Sequence, residues 1–298
     1  MIGELGNHFS LMRNVKCSVL MIVFLVSLNG LIMGMQVNPI LGQESSVDQC
    51  HCVVFRLDDI GNGSPDNVQI ALLNYFIAHN QSASLGLIMN QLDNESALVN
   101  TIRNGYSRNL FELGVHGWNH VDYTNLTTSE QQSSLIKANL KMNLLFNTYS
   151  RIFIPPFNLI NNDTVPTMQK AGMNILSSAI YYDEPDIINL SQQNKNLTNR
   201  KIFHMPEMTD FSIFYNGKWV KAPIKFLLSD IDFDIRTYGY SVVMLHPHNF
   251  AIPVNGSLTD KVDYNQFRSL DTIINVIKNK NIPIMTLSQA AGINGSGT

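Results

Sequence analysis

Charge is scarce in this chain. Only 14% of its 298 residues are charged, the formal net charge is -3, and no Lys/Arg stripe marks one face of any segment. That excludes the electrostatic footprint of a nucleic-acid-binding protein. Cysteine is nearly absent too, with three in all, so a disulfide-rich small scaffold is excluded. Cys50-His51-Cys52 lacks the second half of a zinc site, which leaves two thiols or a labile bridge at a domain edge. No glycine-rich phosphate loop follows the first apolar strand, which argues against a dinucleotide-binding fold. What remains is a chain that is 45% hydrophobic and long enough to bury one large core.

One apolar stretch stands apart. No charge occurs from Cys17 to Gln43; Arg13 and Lys16 precede it, and Glu44 and Asp48 come after it. This order keeps the N-terminus inside and exports the rest of the chain, so residues 1–44 read as a signal or membrane anchor and residues 45–298 as the exported domain. The apolar run is long for a signal peptide and lacks a clear cleavage site. The reading therefore favours an uncleaved anchor, with the domain at the cell surface or outside the cell. Asn-x-Ser/Thr occurs at Asn62, Asn80, Asn94, Asn125, Asn162, Asn189, Asn196, Asn255 and Asn294, where composition alone gives about four. The excess fits an exported, glycosylated surface.

Beyond residue 50 strands and amphipathic helices alternate. Strands are expected at 53–59, 83–89, 111–115, 151–154, 174–178, 202–205, 241–245 and 282–287. Helices are expected after Ser64-Pro65-Asp66, after Ser96, from the Thr127-x-x-Glu130 capping box to about 148, from Asp163 to about 172, over 221–235 and over 264–280. Residues 182–200 show no period. This alternation implies a parallel sheet with crossover helices, and the number of units favours a closed or nearly closed barrel.

The polar residues that interrupt the apolar pattern cluster at strand ends, where such barrels put their chemistry. Asp58 and Asp59 end the first strand, and alternation sends them to opposite faces. Two adjacent carboxylates call for a cation nearby. His116 and His120, four apart, end the third strand; Pro155-Pro156-Phe157 ends the fourth; His246 ends the strand at 241–245. Two histidines and a carboxylate make a three-ligand set with positions left open, suited to a catalytic divalent metal such as zinc. Each alone is weak: a histidine pair can be hydrogen-bonded to a loop, Pro-Pro can be a rigid turn, and His248 competes with His246. Trp118 and Trp219 read as packing rather than sugar platforms.

In this order the motifs resemble those of the polysaccharide deacetylases, the NodB-homology group also called carbohydrate esterase family four. The resemblance spans about residues 50 to 290. It implies a distorted or incomplete (β/α) barrel that hydrolyses acetyl groups from N-acetylated glycans with a divalent metal. By position, Asp59, His116 and His120 match the metal ligands, and Asp58 the base that takes a proton from the attacking water. Phe157 matches the residue whose N–H holds the oxyanion, and His246 the acid that protonates the departing amine. Departures from the family pattern suggest a divergent branch. Arg56-Leu57 replaces Thr-Phe, Ile60 replaces Gly, Gly117 replaces Ser/Thr, Ile154 replaces the arginine before Pro-Pro, and Asn158 replaces Gly. The fourth motif has only Asp183, Asp186, Glu207 and Asp210 as loose candidates. Arg56, two residues before Asp58 on the same strand face, can supply the cation that position 154 has lost. Two further readings stand beside this one: a metal-containing glycan-binding module without turnover, and a metal hydrolase of another amide or ester on the same fold.

Overall fold

A computed structural model describes residues 50–62, 65–179, 202–254 and 257–293. The N-terminal segment, Cys17, Asp183, Asp186 and the sequons at Asn189, Asn196, Asn255 and Asn294 lie outside them. Among the described residues no helix is long and apolar enough to cross a membrane. The chain divides into two units; the larger comprises 49–211 and 222–298. The described part of the other is an antiparallel hairpin, β8 (Ser212–Tyr215) and β9 (Lys218–Lys221), whose Phe214 and Trp219 rings meet edge to face.

The larger unit is built on a parallel sheet of nine strands. β1 (Cys52–Ile60) lies at its centre, flanked by β2 (Ala83–Leu87) and β10 (Tyr240–Leu245). From β2 the order continues through β3 (Phe111–Val115), β4 (Ile152–Phe153), β5 (Ile175–Leu176) and β6 (Phe203–His204). On the other side β10 pairs with β7 (Thr209–Asp210), and β13 (Ile284–Met285) pairs with β1. No ladder joins β6 to β7 among the described residues. The segment between them spans the gap instead, with Glu207 N–H donating to Ser178 O on one side and Met208 N–H to Val242 O on the other. The sheet is thus a curled, incomplete (β/α) barrel.

Val54, Ile152, Ile154, Ile175 and Val242 fill one end of the barrel, with Leu287 and Ala291 packed against them. Each such aliphatic side chain taken out of water contributes about 2 kcal/mol. The polar residues of β1 stand beyond this apolar floor.

Helices begin where backbone donors find acceptors. In α1 (Asp66–Ala78) Pro65 takes the cap position and supplies no side-chain bond. Asp260, on β12 (Ser257–Val262), accepts from Asn67 and Val68 N–H instead. Ser96 caps α2 (Ala97–Ser107), and the expected Thr127–Glu130 box caps α3 (Thr128–Phe146). Asp163 precedes α4 (Thr164–Lys170) without a side-chain cap, contrary to expectation; Asn161 Oδ1 accepts from Asp163 N–H and Thr164 Oγ1–H in its place. α5 (Ile224–Tyr238) starts three residues later than its apolar period suggests because Pro223 fixes its entry, and left-handed Gly239 ends it. α6 (Tyr264–Asn279) follows β12, and Leu287, expected to end a strand, opens α7 (Leu287–Ala290). β11 (Ala251–Val254) and β12 form a hairpin that the sequence pattern does not announce. Cys50 and Cys52 are joined in a disulfide.

Candidate metal centre

Simple alternation assigns Asp58 and Asp59 to opposite faces, and here the backbone departs from it. Asp59 adopts a left-handed φ of 60°, and the β1–β2 register shifts between Leu57 and Ile60. This turns Asp59 towards the histidines of β3 while Asp58 stays beside Arg56. Asp tolerates that conformation better than most residues, at a cost of about 1–3 kcal/mol. Gly86 on β2 leaves the room needed: a Cβ there would stand 3.3 Å from Asp58 Oδ1 and 3.5 Å from His116 Cβ.

Asp59 Oδ1 lies 3.1 Å from His116 Nε2 and 3.0 Å from His120 Nε2. The three side chains each offer a donor atom, all within 4.8 Å of one another. His116 Nδ1 sits 2.7 Å from Ile154 O. A carbonyl only accepts, so Nδ1 carries a hydrogen, and that bond fixes the ring with Nε2 turned to Asp59, the arrangement that orients metal-binding histidines. Burial alone would raise the Asp59 carboxyl, but hydrogen bonds from His116 and His120 outweigh it and hold that carboxyl far below the usual range. The donor set fits a divalent ion: two imidazoles and one carboxylate with space on the open side.

The loop carrying His116 and His120 is clamped at several points. Met89 and Asn90 N–H donate to Gly117 and Trp118 O, Trp118 N–H donates to Ser134 Oγ on α3, and Lys137 Nζ stands 4.0 Å over the Trp118 ring. Trp118 therefore packs under cations of α3.

Arg56 is fully buried. Its Nε–H reaches Asp58 Oδ1 at 3.0 Å and its Nη2–H reaches Asp58 Oδ2 at 2.7 Å. The remaining donors go to Asn158 Oδ1, Ser177 O and Oγ, and Met244 Sδ. Ile154, where the family has arginine, is buried in the apolar floor.

Phe157 lies in a 3-10 turn, Pro156–Asn158, and is itself left-handed at φ 60°. Its N–H makes no hydrogen bond among the described residues. Its ring is 55% exposed and meets His120 edge to face at 4.5 Å. His246 ends β10 with Nε2 3.9 Å from Asp59 Oδ2. Its main-chain N–H donates to Asn249 Oδ1 at 2.7 Å, and Asn249 N–H donates to His246 O at 3.0 Å. Burial lowers the His246 pKa, with Asp58 and Asp59 opposing. His248 stacks on His246, their ring centroids 4.8 Å apart.

Of the loose candidates for a fourth motif, Glu207 lies near Arg56. Burial first, then Asp58 and Asp234, push its carboxyl up to about 7 against the pull of Arg56. Asp210 sits half-buried on β7. Sequence reasoning singled out neither Ser177 nor Met244, which complete the Arg56 network. The only signal for Ser177 is a hydroxyl at a strand end.

A curled parallel sheet with an Asp-His-His cluster and a paired carboxylate at its strand ends defines an α/β-barrel protein with a candidate metal centre. The sequence model of the polysaccharide deacetylase family matches residues 47–176, the part of the chain that resembles the NodB-homology group. That match includes Asp58, Asp59, His116, His120 and Phe157, while His246 lies beyond it. No curated protein matches the sequence. Among solved structures, one from Mycobacterium smegmatis named for its likeness to polysaccharide deacetylases superposes with a TM-score of 0.57 at 14% identity, covering 84% of this chain and 92% of that one. A family 4 acetyl xylan esterase from Clostridium thermocellum, solved in complex with a cobalt ion, gives 0.51 at 15%, covering 83% and 93%. A CE4 family pseudoenzyme from Bacillus anthracis gives 0.52 at 14%, covering 80% and 65%. At these identities the likeness is one of fold.

Proposed function

We propose that this domain hydrolyses acetyl groups from N-acetylated glycans with the help of a divalent metal, zinc being the ion best suited to the donor set. The observation that carries this is the convergence of Asp59, His116 and His120 beside an arginine-paired Asp58. Asp59 Oδ1 and the two Nε2 atoms would hold the ion. When bound, it supplies Lewis acidity that polarises the acetyl carbonyl and makes water a better nucleophile. Asp58, oriented by the Arg56 fork, takes the proton of the attacking water. The Phe157 N–H points its hydrogen to the developing oxyanion. His246, whose Nε2 lies 3.9 Å from Asp59 Oδ2, acts in its protonated imidazolium form, handing the Nε2 proton to the departing amine and ending neutral. The charge order around residues 17–43 supports a domain held outside the membrane by its N-terminal segment.

The test is acetate release from N-acetylglucosamine oligomers by the purified chain, with and without a chelator. Release that stops on chelation and returns with zinc or cobalt is expected. Metal-dependent glycan binding without release would select the binding module, and chelator-insensitive release would overturn the metal assignment.

A further inference from the structure

Phe157 and Asn158 are consecutive non-glycine residues in the left-handed region, at φ 60° and 57°. Such a pair persists only where its surroundings over-determine it. Within the turn, Asn158 N–H donates to Pro155 O and Leu159 N–H to Pro156 O. The Phe157 ring packs on His120, and the further hydrogen bonds of the turn pass through Asn158. Its Oδ1 accepts from Arg56 Nη2 at 2.8 Å, its main-chain oxygen accepts from Ser178 Oγ at 2.6 Å, and its Nδ2 lies 3.8 Å from Met244 Sδ. The turn is thereby tied to β1, to the end of β5 and to β10.

Arg56 Nη2 serves two acceptors at once, Asp58 Oδ2 and Asn158 Oδ1. One guanidinium group thus spans the candidate base and the residue next to the free Phe157 N–H. A glycine would satisfy the backbone of position 158 equally well. It would leave Nη2 without that acceptor and the turn without its side-chain tie.

The geometry points to Asn158 as a positioning residue: its side-chain bond to Arg56 locks the left-handed turn, aims the Phe157 N–H at the ligand cluster and couples that aim to the orientation of Asp58. The inference rests on the proposed deacetylase reading and adds a residue to it. Asn158 touches neither ligands nor substrate and acts through Phe157 and Arg56.

The experiment compares Asn158→Gly, which keeps the backbone conformation, with Asn158→Asp, which keeps an oxygen acceptor for Arg56. In Asn158→Gly kcat is expected to fall about 10- to 100-fold, the scale of a small misplacement of a reacting group, while KM and cobalt affinity stay within about twofold of wild type. Asn158→Asp is expected to recover part of kcat. A purely structural role would lower thermal stability and leave kcat per folded molecule unchanged, and that result overturns the proposal. The turn is also read without turnover, by nuclear magnetic resonance of the Phe157 and His120 ring protons. Loss of their contact in Asn158→Gly and its return in Asn158→Asp is expected. An unchanged contact refutes the coupling even if the wild type shows no deacetylase activity, whereas an inactive wild type with a contact that responds refutes only the proposed function.

Discussion

Arg56 and Asp58 stand on one face of β1 and meet through two parallel hydrogen bonds of 3.0 and 2.7 Å, with Arg56 fully buried and Asp58 2% exposed. The period of a strand puts residues i and i+2 on the same side, and the planar guanidinium matches a carboxylate as a fork. Ile154 completes the exchange. An apolar residue fills the place of the family's arginine after β4, while a cation on the aspartate's own strand, separated from β4 by β3 and β2 in the sheet order, serves the aspartate.

Removing that cation exposes its role. Arg56→Ala leaves a buried carboxylate unpaired, which costs about 3–5 kcal/mol of stability, so Arg56→Lys is the gentler probe because it keeps the charge and loses the fork. Arg56→Lys should lower turnover about tenfold or more, as a misoriented base does, while bound metal is retained. Adding Ile154→Arg to Arg56→Ala should restore part of the lost turnover. If Arg56→Lys turns over like wild type, or the second arginine lowers activity further, the relocation is refuted.

Metal affinity separates ligand from base. His116→Ala or His120→Ala leaves two donors and should weaken zinc or cobalt binding by more than about 100-fold, beyond what loss of a supporting partner costs. Asp58→Asn should bind metal normally and release little acetate. Calorimetric titration with the metal alone checks both. Equal metal loss in all three variants would remove this division of labour.

Much of this site was legible because motif residues sit at strand ends, and strands ending in polar residues are easy to see. Phe111–Val115 and the Thr127 capping box stand where the pattern puts them. Two kinds of feature were not legible. The left-handed φ of Asp59 breaks the alternation that defines strand faces, and only the tolerance of Asp for that region hints at it. β7 is two residues long and its pairing comes from a distant partner, Asp210 aligning with Met244, while β11 and β12 pair with each other in a hairpin of their own. Pro223 and Gly239, by contrast, bracket α5 with ordinary stop signals that outrank the apolar period of 221–235.

A pH effect arises from Glu207. Its carboxyl is raised from an ordinary value near 4.5 to about 7 in the folded state. The stability linked to it is therefore present in full below 4.5 and is lost as pH rises through about 7, because folding then opposes ionisation. Glu207→Gln is neutral throughout and should lack this slope. Urea midpoints for the two proteins, compared from pH 4.5 to 8, should show the wild type losing ground to the variant as pH rises. A difference independent of pH would place the Glu207 carboxyl in solvent rather than inside the barrel.

Gly117 lies between the two candidate histidine ligands, where the family carries a hydroxyl residue, and its backbone explains the exchange. It has φ +82°, and a Cβ would stand 2.6 Å from Asn119 O and 3.3 Å from Tyr123 OH. Neither neighbour can retreat easily. The Tyr123 hydroxyl is hydrogen-bonded to Ser134 Oγ, and the loop backbone is held by Met89 and Asn90. A side chain at 117 therefore has to shift the segment that aims His116 and His120. Left-handed backbone in a non-glycine residue costs about 1–2 kcal/mol, equivalent to about a 5- to 30-fold change in an equilibrium constant. Gly117→Ala and Gly117→Ser should both weaken cobalt binding by about that factor and lower the melting temperature. The serine, although it returns the family's hydroxyl, should do no better than alanine. Tighter metal binding by Gly117→Ser than by the wild type would show that the loop has room for the hydroxyl and that glycine is not required by the backbone.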